Sequence, residues 1–529
     1  MVPVPPLWLW FQQPEAMAVS LALLLPVLLV ILAITLTTSK EEASTSLDRR
    51  RLPPSPRKLP FIGNLHQVGS HPHRALAALS RRHGPLMLLQ LGQAPTLVVT
   101  SAAVAEEVMK TQGAIFADRP ALEFPKKLLY GCRDMGFLPY GEEWRNLRKV
   151  TNLHLLGPRR VPSYRLAREE EVAFMVGKIE RLSSSSSSGA VDLREILQDF
   201  VIDLISRAVR GRCFRDEGQS GELRELLHEH STLFSAFYVG DYYPWLRWVS
   251  VLTGIDSRVK RVVQKWDRVL ESIIQEHLHR SEVSGGSHPE TFVDALLAFD
   301  LGDPSSELSF TTETIKAVII DMFSAGTDTS YITLEWAMAE LVRSPELMKK
   351  AQAEVRRAAG AKPSIEEPDI AQMRYLKAVI KETLRLHPAA PMLLPRQSSE
   401  ETHVCGYYVP KHTRVLVNAW AIMRDSELWE APEEFRPERF LQGGVSVDDL
   451  RGGNLRFIPF GAGRRICPGA QFAVSAVELV LANLLHRFDW KMPDGMQAED
   501  LDMGETPGVL TARKQSLCLV PVPYVHSAI

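Results

Sequence analysis

One cysteine near the C-terminus restricts most strongly what this chain can fold into. Cys467 lies in segment 459–469, PFGAGRRICPG, directly before residues 471–486, which have a helical pattern. A thiolate at such a position can bind a haem iron axially and push electron density that favours O–O cleavage. Glycines beside it let the backbone approach a flat macrocycle closely, where a Cβ would collide. Backbone N–H groups at the start of the helix would stabilise the thiolate charge.

The same segment permits two other interpretations. Gly461-Ala462-Gly463 begins a dinucleotide-binding fingerprint, but Ile466 stands at the sixth position and no βαβ pattern surrounds it, so we reject this interpretation. The other is a buried cysteine in a glycine-rich turn, which is the usual place of a single cysteine. The segment alone fits this interpretation as well as it fits a haem ligand.

An uncharged apolar run lies near the N-terminus. Residues 17–37 contain no Asp, Glu, Lys or Arg, and at about 1.5 Å per residue they would span roughly 30 Å, one bilayer core. No Lys or Arg precedes the run, whereas six follow it between residues 40 and 58. By the positive-inside rule, everything after residue 40 is then cytosolic. We therefore predict an N-terminal segment 1–38 with a single transmembrane anchor at about 17–37.

The remainder divides into a linker and one large domain. Residues 39–64 are a polar linker that ends in a proline-rich hinge, whose closely spaced prolines favour a stiff, extended segment. An ordinary proline-rich linker would have the same composition. Residues 65–529 read as one catalytic domain, mainly α with a smaller β region. Its clearest strand pattern is a hairpin over 86–100, broken at 92–95.

Charge and cysteine usage exclude several function classes. The formal net charge of -2 gives no electrostatic reason to expect nucleic-acid binding. Five cysteines are scattered without close spacing, so neither a disulfide framework nor a CxxC zinc site is present in the pattern. Three His-x-His pairs, at 71/73, 228/230 and 277/279, are predicted to be solvated histidines, because residues i and i+2 of a helix point apart.

Two helices carry further polar patterns. Residues 312–343 form the longest helical pattern, and its middle, AGTDTS at 325–330, contains poor mid-helix residues. A glycine and a threonine one turn apart can open the helix there and leave a polar notch, although a helix that merely tolerates them has the same sequence. In the helix predicted over 372–387, Glu382 and Arg385 stand at i and i+3, within ion-pair reach. A buried pair would need a further partner.

Together these segments resemble a cytochrome P450 of the plant-type (A-type) microsomal class, over nearly the whole chain. Segment 459–469 matches the family's cysteine loop and 325–330 its oxygen-activation motif. Segment 435–440, FRPERF, matches the downstream stretch whose arginine completes a Glu-Arg-Arg network. The resemblance implies the P450 fold, preceded by the transmembrane helix.

The resemblance also implies a role for each matching residue. Cys467 is the expected axial ligand of the iron in haem b. The expected haem-binding residues are Phe460, Gly463, Arg465, Gly469, Trp144, Arg148 and Arg396. Thr329 and Asp328 match the acid–alcohol pair that delivers protons during oxygen activation. Glu382, Arg385 and Arg439 match residues with a structural role.

The implied reaction inserts one oxygen atom from O2 into a lipophilic small molecule, in plant specialised metabolism. No flavin or dinucleotide fingerprint is present, so an NADPH-dependent cytochrome reductase must supply the electrons. The implied location is the endoplasmic reticulum membrane, in contact with lipid and with the catalytic domain cytosolic. Segments 116–138, 233–239, 319–324, 389–394 and 508–511 correspond to the family's substrate contacts and are largely apolar.

Two alternative functions stay open. One is a haem-thiolate isomerase or dehydratase that does not need O2, and the other is a non-catalytic haem-binding sensor. Thr329 and the uninterrupted cysteine loop favour the monooxygenase over the first alternative. The intact acid–alcohol pair and the anchor favour it over the second.

Overall fold

The protein is mainly helical with a smaller β region, as the sequence predicts. A computed structural model describes residues 51–185, 189–284, 291–300, 310–441, 452–493 and 495–524. The helices are α1 Pro72–His83, α2 Ala102–Glu106, α3 Glu123–Leu128, α4 Glu142–Val150, α5 Arg165–Ser185, α6 Leu193–Arg210, α7 Ser220–Phe234, α8 Val249–Leu252, α9 Ile255–Ser284, α10 Phe292–Asp300, α11 Thr312–Arg343, α12 Pro345–Ala359, α13 Glu367–Ile370, α14 Arg374–Leu386, α15 Ala419–Ile422 and α16 Ala470–Arg487. Short turns join them, among them the π turn Glu107–Thr111 and the 3₁₀ turns Pro437–Phe440 and Gly463–Arg465.

The strands of the described residues form three small sheets. They are β1 Leu86–Leu91, β2 Ala94–Val99, β3 Val191–Asp192, β4 Arg396–Gln397, β5 Thr402–Val404, β6 Tyr407–Val409, β7 Arg414–Val417, β8 Phe488–Lys491 and β9 Cys518–Pro523. The largest sheet has the order β1-β2-β7-β4, the second β3-β9-β8, and β5 pairs with β6.

The predicted hairpin is confirmed, with a shorter break than expected. β1 and β2 pair antiparallel from Leu86 opposite Val99 to Leu91 opposite Ala94. Pro95 therefore lies inside β2 rather than in the turn. It is tolerated there because the pairing of β2 with β7 begins only at Thr96, so no ladder hydrogen bond needs a Pro95 N–H.

The proline-rich hinge lies against the largest sheet. Leu88 N donates to Pro54 O at 2.9 Å, and Asn64 N donates to Gln90 O at 2.6 Å. The predicted anchor at about 17–37 lies outside the described residues. Within the part of the chain that the structure describes, no helix is both long and apolar enough to cross a membrane.

Helix α11 runs through the core and positions the site. Its bounds agree with the predicted 312–343. The Thr311 side chain caps its start by accepting from Thr314 N, and Pro345 follows its end. Of the two alternatives for residues 325–330, the structure shows the helix that tolerates them, since α11 is continuous from end to end. Gly326 serves packing instead, since a Cβ there would lie 2.8 Å from Ile205 Cδ1 of α6.

Candidate functional site

A cavity of about 360 Å³ lies between α11, the cysteine loop and the segments above them. Its wall is mostly apolar. The lining includes nine of the predicted site residues, namely Thr329, Asp328, Cys467, Phe460, Arg465, Trp144, Arg148, Arg396 and Gly469. Each of the five predicted substrate-contact segments contributes at least one lining residue, for example Phe137, Phe234, Met322, Leu393 and Leu510. Gly463 does not line the cavity.

The cysteine loop presents the Cys467 thiol to this cavity. The Cys467 side chain has accessible surface, which faces the cavity, and the sulfur is otherwise enclosed by the protein. Burial raises the pKa of the thiol, whereas N–H bonds from Gly469 and Ala470 and the charge of Arg148 act in the opposite direction. These two N–H groups belong to the start of α16. The thiolate form would therefore be stabilised by the helix start and by one nearby cation.

Gly463 of the loop is required by a contact within the protein itself. Gly463 has φ 69°, and a Cβ there would lie 1.9 Å from the carbonyl oxygen of Met109. Its neighbour is thus protein backbone, from the π turn Glu107–Thr111. By contrast, a Cβ on Gly469 would meet only Cys467 Sγ, at 4.0 Å. The close approach that selects glycine at 463 is therefore a contact between two loops of the chain.

Four arginines surround the cavity next to the cysteine. Arg119, Arg148, Arg396 and Arg465 all line it, and none of them forms an ion pair with a carboxylate of the described residues. Burial, then repulsion from Arg465 and Arg396, lowers the pKa of Arg119 well below its usual value. Burial lowers the pKa of Arg396 to about 10, and burial with repulsion from Arg396 lowers that of Arg465 to about 9.

The four arginines without a carboxylate ion pair allow a test of whether the site fits haem. Guanidinium groups crowded in an apolar interior are costly unless anions accompany them. The two propionates of a haem are such anions, and carboxylates match the fork of arginine. A mainly apolar cavity lined by a thiol and by arginines that lack a carboxylate ion pair therefore fits the cofactor.

Segment 134–138 holds most of this arrangement together through its backbone. The carbonyl of Met135 accepts from the Trp144 indole at 3.1 Å and from Arg465 Nη1 at 3.4 Å. The carbonyls of Gly136 and Leu138 accept from Arg119 and Arg465, at 2.7 and 2.6 Å. The N–H of Trp144, one of the expected haem-binding residues, is thus bonded to the protein backbone.

Carboxylates in turn hold the same segment. Asp321 of α11 accepts from Met135 N at 2.8 Å, and Asp134 accepts from Phe137 N at 2.8 Å. Burial raises the pKa of both carboxyls, that of Asp134 to about 6. The segment therefore connects α11 with the arginines of the cavity rim.

The predicted acid–alcohol pair lies on α11 and lines the cavity. The Thr329 hydroxyl donates to the Ala325 carbonyl, one turn back, at 2.8 Å. The Asp328 carboxylate accepts from the Ser231 hydroxyl of α7 rather than from Thr329. Burial raises the pKa of Asp328 to about 6. The carboxyl can therefore hold or release a proton near neutral pH.

Away from the cavity, Glu382, Arg385 and Arg439 form one buried network. The Glu382 carboxylate receives two bonds from Arg385 at 2.8 Å and one from Arg439 at 2.9 Å. The Arg436 N–H adds a fourth, at 2.9 Å. The Glu382 and Arg385 side chains have no exposed surface. The pair thus has the further partners that burial demands.

The prediction of solvated histidines is wrong for one member of each His-x-His pair. His73, His230 and His277 are 1%, 4% and 1% exposed. His73 contacts Glu505 at 2.9 Å and His277 contacts Asp294 of the next helix at 2.5 Å, so both have a carboxylate partner on another element. The i, i+2 geometry separates the two members of each pair, but burial of one of them depends on tertiary packing.

Arg119 and His230 are two polar residues of the cavity wall that were not singled out from the sequence. Arg119 lies inside a predicted substrate segment, in Asp118-Arg119-Pro120, but that segment contains several other charged residues, so its charge alone does not mark it. His230 lies three residues before the predicted segment 233–239 and was set aside with the other histidines.

Comparisons with known proteins agree with this geometry. The sequence profile of the family described as Cytochrome P450 matches residues 53–519. Cytochrome P450 736A117 of Prunus mume is 45% identical over 518 residues, which cover 97% of each chain. Phenylacetaldehyde oxime monooxygenase of the same species is 42% identical over 504 residues, 95% of each chain. A solved zebra fish cytochrome P450 with progesterone superposes with a TM-score of 0.72 at 26% identity, over 86% of this chain and 99% of the other.

Proposed function

Because this chain belongs to the cytochrome P450 family, we propose that it inserts one oxygen atom from O2 into a lipophilic small molecule, with electrons from an NADPH-dependent cytochrome reductase. The protein is a P450 monooxygenase, and its cofactor is haem b with a thiolate-ligated iron. The observation that carries the finer proposal is the meeting of a deep thiol, four arginines and an apolar wall in one cavity.

Within this proposal each side of the cavity has a task. Bound haem supplies the activation of O2, so that one oxygen atom enters the substrate and the other leaves as water. Cys467 would hold the haem iron through its thiolate, and Phe460 would exclude water from the sulfur. Arg148, Arg396 and Arg465, joined by Arg119, would hold the propionates. Trp144 acts indirectly, because its ring lies under the Arg465 guanidinium at 4.3 Å.

Thr329 and Asp328 are proposed to deliver the protons that the reaction consumes. The Asp328 carboxyl, with its pKa raised to about 6, exchanges a proton with its surroundings near neutral pH. The Ser231 hydroxyl that bonds it keeps the carboxyl oriented. The next residue after Asp328 is Thr329, whose hydroxyl donates to Ala325 O in this structure. The hydroxyl can rotate away from that carbonyl and donate to an acceptor in the cavity.

Electron delivery is proposed to use the face of α4 that points away from the cavity. Arg145 and Lys149 are exposed there, and Arg148 of the same helix lines the cavity. Charge reversal at Arg145 and Lys149 should slow reduction by the reductase, and the effect should fade as salt rises. Unchanged reduction rates at low salt would contradict this docking surface.

A membrane location is supported by one apolar surface built from two distant segments. Phe61 of the hinge stacks on Tyr243 at 6.3 Å and meets Trp245 edge-on at 6.4 Å. Trp248 and Leu252 nearby in sequence are 56% and 75% exposed. Interfacial aromatics suit a lipid headgroup region. We therefore assign 1–38 as the anchor segment of a single-pass endoplasmic reticulum protein, 39–64 as linker and hinge, and 65–529 as the cytosolic catalytic domain.

The substrate is proposed to be a lipophilic small molecule of plant specialised metabolism. The apolar cavity wall supports the first part of this assignment. The names of two relatives support the second, since one is a phenylacetaldehyde oxime monooxygenase and another, from Strychnos, is a norfluorocurarine oxidase. The chain is 42% and 44% identical to them over at least 90% of its length.

The reduced, carbon-monoxide-bound absorption spectrum tests the ligand assignment. Full-length protein should show a strongly red-shifted Soret band that Cys467→Ala removes and Cys405→Ala, at an exposed cysteine, retains. A band that survives Cys467→Ala would contradict the assignment. With added reductase, substrate should then stimulate NADPH consumption. Product formed without reductase or O2 would favour the isomerase or dehydratase instead, and haem binding without any turnover would favour the sensor.

A further inference from the structure

A histidine that the proposed chemistry does not use lines the cavity. His230 of α7 is 4% exposed and belongs to the cavity wall. Its ring meets Phe124 of α3 edge-on with centroids 5.6 Å apart, and Trp266 of α9 at 6.0 Å. Contacts from two different helices therefore hold the imidazole in one orientation.

Both ring nitrogens of His230 lack a hydrogen bond within the part of the chain that the structure describes. Nδ1 is buried without a partner, and Nε2 has none either. A polar group without a partner in apolar surroundings is costly, so such groups are nearly always paired. Burial lowers the pKa of His230 to about 4, so the ring is neutral in the cytosol. It offers one N–H donor and one acceptor, but no charge for an anion.

The hydroxyl groups of the wall already have partners within the protein. The hydroxyls of Ser324, Thr329, Ser330 and Thr333 donate to α11 carbonyls one turn back. Ser231, next to His230, donates to Asp328. Beyond these groups the wall near His230 is aromatic, because Phe234 packs on Phe124 at 4.9 Å and on Phe137 at 6.1 Å. His230 is thus a single uncharged hydrogen-bonding group set in an apolar surface.

We propose that His230 recognises a hydroxyl group on an otherwise apolar substrate, as carried by an alcohol, a phenol or an oxime. A hydroxyl both donates and accepts, so it satisfies the imidazole in either tautomer. The aromatic surroundings bind the rest of the molecule, and the hydroxyl fixes its orientation in the cavity. This inference rests on the proposed function, because it takes the cavity as the substrate site.

Matched probes that differ in one group test the inference. Full-length, haem-loaded protein is titrated with 2-naphthol and with 2-methylnaphthalene, in which a methyl replaces the hydroxyl. Phenylacetaldehyde oxime and its O-methyl ether form a second pair. Dissociation constants are read from the change in the haem Soret band. One hydrogen bond in an apolar site corresponds to roughly a 3- to 10-fold preference for the hydroxyl member.

Three variants give the comparison its controls. His230→Phe keeps a ring between Phe124 and Trp266 but removes both nitrogens, so the preference should disappear while the apolar probes bind as before. His230→Gln keeps a donor and an acceptor and should restore part of the preference. His228→Phe, at an exposed position of the same helix, should leave the preference unchanged.

The outcomes separate this inference from the proposed function. A wild-type protein without preference for the hydroxyl member of either pair overturns the inference, and so does a preference that His230→Phe leaves intact. The proposed function fails separately, if the carbon-monoxide spectrum lacks the thiolate signature or if reductase and NADPH support no turnover.

Discussion

Substitution of Gly463 by alanine tests why the cysteine loop contains glycine. The residue begins the turn Gly463–Arg465, four positions before Cys467. Its φ of 69° costs an L-residue roughly 1–2 kcal/mol. In addition, the new Cβ would lie 1.9 Å from the Met109 carbonyl oxygen, and a backbone atom cannot move aside by changing rotamer. Overpacking of this kind adds roughly 1–3 kcal/mol.

Gly406→Ala supplies a control in which only the backbone term is present. Gly406 has φ 78°, and a Cβ there would have no atom within 4 Å. We expect the free energy of unfolding to fall by roughly 2–5 kcal/mol in Gly463→Ala and by roughly 1–2 kcal/mol in Gly406→Ala. The Gly463 variant should also lose haem, because displacement of the loop moves Arg465 away from its carbonyl partners.

Denaturant unfolding followed by circular dichroism and by the Soret band measures both effects. The circular dichroism reports the helices, and the Soret band reports the haem environment. Equal destabilisation by Gly463→Ala and Gly406→Ala, with haem retained in both, would refute the reasoning. It would mean that the turn Glu107–Thr111 moves at little cost in free energy, and that its contact with residue 463 does not require glycine there.

Three further outcomes are expected. Glu382→Gln should lower the free energy of unfolding by about 3–5 kcal/mol, because it breaks a buried charge network. The control Glu346→Gln, in an exposed ion pair, should change that free energy little. Equal losses of free energy in the two variants, measured by urea titration, would contradict this. Thr329→Ala should consume NADPH while releasing peroxide or water, so an unchanged ratio of product to NADPH would remove Thr329 from proton delivery. Asp328→Asn should raise Tm relative to wild type above pH 6. Burial raises the folded pKa of this carboxyl from 3.8 to about 6, so its contribution to stability is full below pH 3.8, declines as pH rises through 6 and is constant above. A difference in Tm that is independent of pH between 4 and 7 would contradict the raised pKa.

Helix bounds were predictable because local signals set them. The capping residue Thr311 before α11 and Pro345 after it made its limits readable. The helices α14 and α16 begin and end within two residues of the predicted 372–387 and 471–486. The β1–β2 hairpin was readable for the same reason. Its exact turn was not, because whether Pro95 fits inside a strand depends on where β7, more than three hundred residues away, starts to pair.

Contacts between distant segments could not be derived from local pattern. The partner of Gly463 is Met109, and the partner of Asp328 is Ser231 in another helix. No spacing within the cysteine loop or within α11 indicates either contact. The burial of His230 likewise depends on Phe124 and Trp266, which approach from two other helices.

Segment 134–138 uses its backbone to hold the arginines and its side chains to line the cavity. Its backbone carbonyls hold Arg119, Arg465 and the Trp144 indole, whereas Met135 and Phe137 also belong to the cavity wall. Every residue type keeps its carbonyl. The side chains at 135 and 137 can therefore be exchanged during evolution to admit a different substrate, without any loss of the acceptors that hold the cationic rim. Substitutions in segment 134–138 can therefore change which substrates bind without changing the contacts that hold the arginines of the cofactor site.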